Sequence, residues 1–178
     1  NQNMTLWCVS QFSSEPSGFS LNNSMSNSNK PAWGTCPVRP IYFENGTCKC
    51  PNATVGDSAT ISGTVYTAVD NSTIQAQVNS GNFNLCTTKV TNMSGVFNSK
   101  TSFNSNINFW DTSNVTDMNA MFYNATSFNQ DISNWDTSKV VNMHRMFYLA
   151  RVFNQPIGNW DTSSVNNMSG MFDQASVF

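Results

Sequence analysis

The stretch that decides the fold is residues 114–138, NVTDMNAMFYNATSFNQDISNWDTS. Working outward from it, Trp135 has counterparts at Trp110 and Trp160, each 25 residues away. Aligned on that period, the chain divides into units 89–113, 114–138 and 139–163 and a partial unit 164–178, with no insertion or deletion. Val recurs at 90, 115, 140 and 165, and Met at 93, 118, 143 and 168. Phe recurs at 97, 122, 147 and 172, and again at 103, 128, 153 and 178. The run Trp-Asp-Thr-Ser closes all three complete units. Such self-similarity is the signature of a repeat architecture.

Two local patterns share each unit. Val115, Met118, Phe122 and Ala125 fall at steps of three and four, widened by Met121, which predicts a short helical face. Asp111, Thr112 and Ser113 precede it and can cap its free N–H groups. The following stretch, Phe128 to Trp135, reads as extended, with Phe128, Ile132 and Trp135 inward. A short helix plus a short parallel strand per 25-residue coil predicts an α/β solenoid, leucine-rich-repeat-like, with identical columns stacked about 4.8 Å apart. Trp110, Trp135 and Trp160 then form one ladder, Ile107, Ile132 and Ile157 a second. Asn104, Asn129 and Asn154 form a third, suited to satisfying backbone at a turn. Asp111, Asp136 and Asp161 admit a calcium-ligand reading, but local capping is the simpler role, since calcium needs several oxygens on one ion.

The pattern V-x-N-M-x-x-M-F-x-x-A-x-x-F-N-x-x-I-x-x-W-D-T-S resembles the repeat of the BspA-like leucine-rich-repeat surface proteins. The resemblance covers residues 89–178, with a lead-in at 44–67. It implies a secreted or surface-displayed solenoid used for adhesion or assembly, and it carries no catalytic residues.

Upstream, Asn45-Gly46 and Ser62-Gly63 each lie between short apolar runs, the pattern of a β-hairpin. Asn71 or Ser72 can cap a short helix bearing Ile74 and Val78. Leu85-Cys86-Thr87-Thr88 lies one period before Trp110-Asp111-Thr112-Ser113. Residues 64–88 therefore read as a degenerate capping coil, and 11–63 as an irregular, hairpin-containing, β-rich region. The five cysteines, Cys8, Cys36, Cys48, Cys50 and Cys86, all lie outside the complete repeats. That clustering predicts disulfides stapling a weak core. The expected pairs are Cys8–Cys86 and Cys36 with Cys48 or Cys50, leaving one thiol. Zinc fits less well, because Cys48-x-Cys50 is tighter than usual knuckle spacing and no His is near.

Composition narrows the function. Charged residues are 10% of the chain, against about 25% in ordinary soluble proteins. They are replaced by 27 Asn, 24 Ser and 17 Thr. A net charge of −2 gives no basic surface for nucleic acid, and no apolar run is long enough to insert in a membrane. An uncharged polar coat, and a chain starting at Asn1 without a signal-like segment, suit a processed, extracellular product. No acid, base and nucleophile converge on a catalytic pattern: His144 occupies an outward column, Glu occurs only at 15 and 44, and the Met column reads as core rather than copper ligands. No enzyme activity, cofactor or metal is expected. Nine N-x-S/T sequons occur, at Asn3, Asn22, Asn45, Asn52, Asn71, Asn92, Asn114, Asn124 and Asn167. Of these Asn52, Asn92, Asn114, Asn124 and Asn167 are the candidates for carrying glycans.

The ends fit each other. The partial unit stops at Phe178 with the second half of the coil absent, and Asn1-Gln2-Asn3-Met4-Thr5-Leu6-Trp7 continues the repeat in register. Asn1 takes the column of Asn129, Gln2 that of Gln130, Met4 that of Ile132 and Trp7 that of Trp135. Cys8 takes the column of Cys86, which motivates their pairing. Residues 1–10 are thus expected to act as a strand completing the fourth coil of a neighbour. The interface is expected to join Asn1, Gln2, Met4 and Trp7 to Val165, Met168, Met171, Phe172 and Phe178. The expected partner is a second copy, head to tail, in a cell-surface filament. The alternative is a surface adhesin acting as a monomer or within a longer chain.

Overall fold

The computed structural model describes residues 9, 11–17, 19, 30–34 and 40–178. The chain forms two units, Asn1–Arg39 and Pro40–Phe178. In the first, Phe12 and Phe19 set their rings edge-on to Trp33 at 6.5 and 4.8 Å. Lys30 pairs with Glu15 at 2.8 Å. The carbonyl of Val9 accepts the N–H groups of Phe12 and Gly34.

The second unit opens with two hairpins. β1 (Tyr42–Glu44) and β2 (Thr47–Lys49) pair antiparallel. Asn45 and Gly46, both at positive φ (49° and 82°), make their two-residue turn. That left-handed pair matches the twist of the flanking strands. β3 (Ser58–Ile61) and β4 (Thr64–Asp70) pair likewise around Ser62-Gly63. β4 then runs parallel to β5 (Leu85–Lys89) through the crossover helix α1 (Ile74–Asn79), whose Ile74 and Val78 are buried. Asp70, rather than Asn71 or Ser72, holds the chain entering α1: its Oδ1 accepts the N–H groups of Ser72 and Thr73 at 3.0 and 3.1 Å. Hydroxyl hydrogen bonds, first from Ser72, hold that carboxyl below its ordinary range. Asn71 reaches instead to Thr91, accepting its N–H at 2.8 Å. The β1–β2 hairpin groups with the repeats and not with residues 11–39. Cys48 N–H donates to the carbonyl of Phe109 at 2.8 Å, and Lys49 pairs with Asp111.

The repeats themselves contain neither the expected helix nor the expected strand. Residues 90–178 are turns linked by single β-bridges, Asn92 to Asp117 to Asn142 to Asn167, all parallel. The backbone bonding alternates. The N–H groups of Met93, Gly95, Phe97 and Ser99 donate to carbonyls of the next repeat, at Asp117, Asn119, Met121 and Tyr123. Those of Val96, Asn98 and Lys100 donate three residues back. The same pattern joins the second repeat to the third and the third to the fourth. A helix would have kept every N–H within its own repeat. Ring spacing gives the deeper reason. Phe97, Phe122, Phe147 and Phe172 stack at 5.4, 5.4 and 5.6 Å, close to the spacing of sheet neighbours, whereas packed helices need about 8–10 Å. Four-residue turns place Met93 and Phe97 on one side much as a helix would, which is how their spacing imitates one.

Tight turns demand left-handed residues. Two columns supply them: Gly95, Ala120, Arg145 and Gly170, and Ser99, Asn124, Leu149 and Gln174, all at φ between 51° and 66°. Glycine at 95 and 170 adopts this conformation without a Cβ penalty. The interior is continuous from Val69, Ile74, Val78 and Leu85 of the β4–α1–β5 segment into the Met, Phe, Ile and Trp columns.

Candidate interaction surface on the fourth repeat

Every rung of the repeat stack is covered by the next, and the columns record this. Met93, Met118 and Met143 are fully buried, while Met168 is 41% exposed. Phe103, Phe128 and Phe153 are buried, while Phe178 is 51% exposed. Ile107 and Ile132 are buried and Ile157 is half-buried. These side chains border one cavity of about 310 Å³, lined by Ile157, Gly158, Trp160, Thr162, Met168, Met171, Phe172 and Phe178. Four of the five predicted acceptor residues, Met168, Met171, Phe172 and Phe178, therefore meet in it. Val165 does not line it. Ile157 and Trp160, which sequence reasoning left off the interface, do. Their signal was available, because they stand in the Ile and Trp columns that the repeat defines.

The polar ladders stop at the same face. Asn129 N–H donates to Asn104 Oδ1, and Asn154 N–H to Asn129 Oδ1, both at 2.9 Å. Gln130 and Gln155 add their Nε2 groups to the same oxygens. Trp110, Trp135 and Trp160 donate their indole N–H groups to the carbonyls of Phe83, Ile107 and Ile132 at 3.0, 3.3 and 3.2 Å. In each series the next acceptor is Asn154 Oδ1 and the Ile157 carbonyl. Among the described residues, nothing donates to the first, and the second receives only the N–H of Trp160. Asn1, Gln2, Met4 and Trp7 lie outside the described residues. Val9 does not: it is buried, and its carbonyl accepts the N–H groups of Phe12 and Gly34 of its own unit.

The Asp column works locally. Asp111, Asp136 and Asp161 each accept the N–H of the Ser two residues on, at 3.2, 3.0 and 2.9 Å. They close turns rather than cap helices. Asp111 differs in being 2% exposed and paired with Lys49 at 2.9 Å. Burial pushes its carboxyl up, but hydrogen bonds from Ser113, Lys49 and Thr88 outweigh that and hold it below the ordinary range. Its Oδ2 is buried without a partner among the described residues. His144 is half-buried, its Nδ1 likewise without a partner.

The cysteine pairing differs from expectation. Cys86 bonds to Cys50, not Cys8, with the two Cα atoms 6.1 Å apart. The cause is β2 lying beside β5: Cys50 N–H donates to Thr88 Oγ1 at 3.0 Å, which sets Cys50 against Cys86. Cys48 is a buried free thiol, pushed up to about 12 by burial and by the negative charge of Asp111. With Cys50 paired, Cys48 is the one of the two left for Cys36, and as a free thiol it does not make that bond. Cys8 and Cys36 lie outside the described residues.

Of the sequons, Asn52 is exposed at a turn. Asn92 is exposed, with its Oδ1 accepting Ser94 N–H. Asn114 is half-buried, and its amide donates to the carbonyl of Thr88. Asn167 is half-buried and bonds to Ser169 N–H, and Asn124 is half-buried in the left-handed column.

No helix among the described residues is long and apolar enough to cross a membrane. No characterised protein and no solved structure matches the chain. Residues 65–178, more than half of the chain and including every repeat, match a family described as Mycoplasma protein of unknown function, DUF285. The chain belongs to the DUF285 family.

Proposed function

We propose that this chain is a structural subunit of an extracellular or cell-surface filament, a solenoid of turn-rich coils whose copies join head to tail. The carrying observation is the uniformity of the stack: Phe97, Phe122, Phe147 and Phe172 follow one another at 5.4, 5.4 and 5.6 Å, and Asn92, Asp117, Asn142 and Asn167 bridge in parallel. A head-to-tail contact between copies is heterologous, and contacts of that kind propagate into a fibre. The BspA-like repeat pattern, the uncharged polar coat and the Cys50–Cys86 disulfide support a position outside the cytosol.

Sedimentation velocity and negative-stain microscopy of the 178-residue protein test this. The expected result is concentration-dependent growth into fibres, abolished by Met168→Asp with the fold retained by circular dichroism. A protein that remains monomeric at high concentration would remove the filament reading.

A further inference from the structure

We infer that the cavity between the end of α1 and the first repeat is a binding site for a carboxylated sugar, a uronate unit of a glycan. Its volume is about 460 Å³, within the range of small-molecule sites. It lies where the polar ladders of the stack begin, and two sequence differences open it. Ser105 stands in the column of Gln130 and Gln155. Those Gln amides reach the Asn one rung earlier, whereas the short Ser105 side chain makes no hydrogen bond among the described residues. Asn79 stands in the column of Asn104, but it ends α1, and its Oδ1 is taken by Gln75 Nε2 at 3.1 Å. The N–H groups of Asn129 and Asn154 donate to the Asn side chain one rung before them, and that of Asn104 has no such acceptor among the described residues. Asn104 therefore brings an unused N–H to the cavity lining. Lys100, half-buried, is the one charged side chain of that lining, and it has no ion-pair partner among the described residues. A cation and an unpaired N–H in a cavity without an acidic side chain suit a carboxylate, whose two oxygens accept from both. The rest of the lining selects a sugar to carry it. Ser99, Thr101 and Ser102 add hydroxyls, which donate and accept and so match ring hydroxyls. Phe83 and Phe103, with ring centroids 4.9 Å apart, supply apolar surface for the C–H face of a pyranose. The site needs no contact between copies, so it is independent of the filament.

The test is saturation-transfer difference NMR on the full chain, which reads monomers and fibres alike. The probes are methyl glucuronide, methyl glucoside and acetate. Saturable binding of the glucuronide is expected. Loss of the charged hydrogen bond should weaken it about tenfold, whether the neutral glucoside replaces the glucuronide or Lys100→Gln removes the cation. Lys100→Arg should retain it. Acetate, which lacks the ring, should bind at least about tenfold more weakly than the glucuronide. Ser102→Trp, at an exposed position, should fill the cavity and abolish binding with the fold retained by circular dichroism. Equal binding of glucuronide and glucoside overturns the inference, because Lys100 then selects nothing. Equal binding of acetate and glucuronide overturns it by reducing the cavity to a simple anion site. Glucuronide binding that survives both Lys100→Gln and Ser102→Trp places the ligand elsewhere, and the absence of saturable binding refutes the site outright.

Discussion

Phe97 and Phe122, 25 residues apart in sequence, lie with their rings 5.4 Å apart and within 2° of parallel. The same offset stack continues through Phe147 to Phe172, and within each repeat a second Phe packs at about 4 Å, as Phe122 does with Phe128. Phe122 therefore has aromatic neighbours above, below and beside it, whereas among the described residues Phe172 stacks on Phe147 and Phe178. Truncating Phe122→Ala should cost about 3–5 kcal/mol, and Phe172→Ala roughly half as much. Urea titrations followed by tryptophan fluorescence measure both. Equal losses would mean that stacking between repeats adds nothing to burial.

The part-buried pair Lys49–Asp111 fastens the β1–β2 hairpin to the first repeat. Asp136 and Asp161 occupy the same column in the open, so the column provides its own control. Asp111→Asn leaves Lys49 without its charge partner and should cost roughly 2–4 kcal/mol, against less than about 1 kcal/mol for Asp136→Asn. The Asp111 carboxyl is held below its ordinary range in the folded protein. Its contribution is therefore present above the unfolded value of about 3.9 and lost as pH falls below that towards the folded value. Stability of the native protein should decline through that acid window, and Asp111→Asn should flatten the decline.

How much of this was legible in the sequence depends on which force set each feature. The columns were legible, because identical side chains at a fixed period have few ways to be buried other than against one another. The two hairpin turns were legible, because Asn-Gly and Ser-Gly favour the left-handed pair a two-residue loop needs. The helix at 115–125 was misread. Positions three and four apart are also what consecutive four-residue turns bring to one side, and only the ring spacing distinguishes the two. Identical aromatic residues in every rung were the available clue, since stacked Phe columns imply a rise too small for helices. The Cys50–Cys86 bond was not legible, because it depends on β2 lying against β5, a long-range placement that column alignment of Cys8 cannot report. At the candidate surface the apolar residues, Ile157 and Trp160 included, could be read from the repeat columns.

Cys50–Cys86 closes a loop with a sequence separation of 36, joining the hairpin to β5. Replacing both by Ala should destabilise the protein by roughly 2–4 kcal/mol. Cys48 sits in the same buried cluster with its thiol pushed up to about 12 by burial and then by Asp111. It should be almost entirely thiol at pH 8, and the thiolate is the reactive form. Alkylation of Cys48 by iodoacetamide at pH 8, mapped by peptide mass, should proceed only after denaturation. Fast labelling of the native protein would place Cys48 at the surface.

Leu149 is the most poorly suited residue in its column. Ser99, Asn124, Leu149 and Gln174 all adopt φ between 54° and 59°, where a Cβ crowds the following carbonyl. Asn tolerates this conformation better than other side chains that carry a Cβ, and Asn already stands at 124 one rung below. The N–H of Leu149 donates to the carbonyl of Asp173 at 3.0 Å, a bond that any non-proline residue preserves. Leu149 is only half-buried, so the apolar surface given up is modest. Leu149→Asn should therefore stabilise the protein by about 0.5 kcal/mol. Leu149→Val, whose branched Cβ fits this region worst, should destabilise it by about 1 kcal/mol. Thermal melts of the two variants beside the native chain decide the matter. A Val variant as stable as the Asn variant would show that the left-handed turn is not what limits this position.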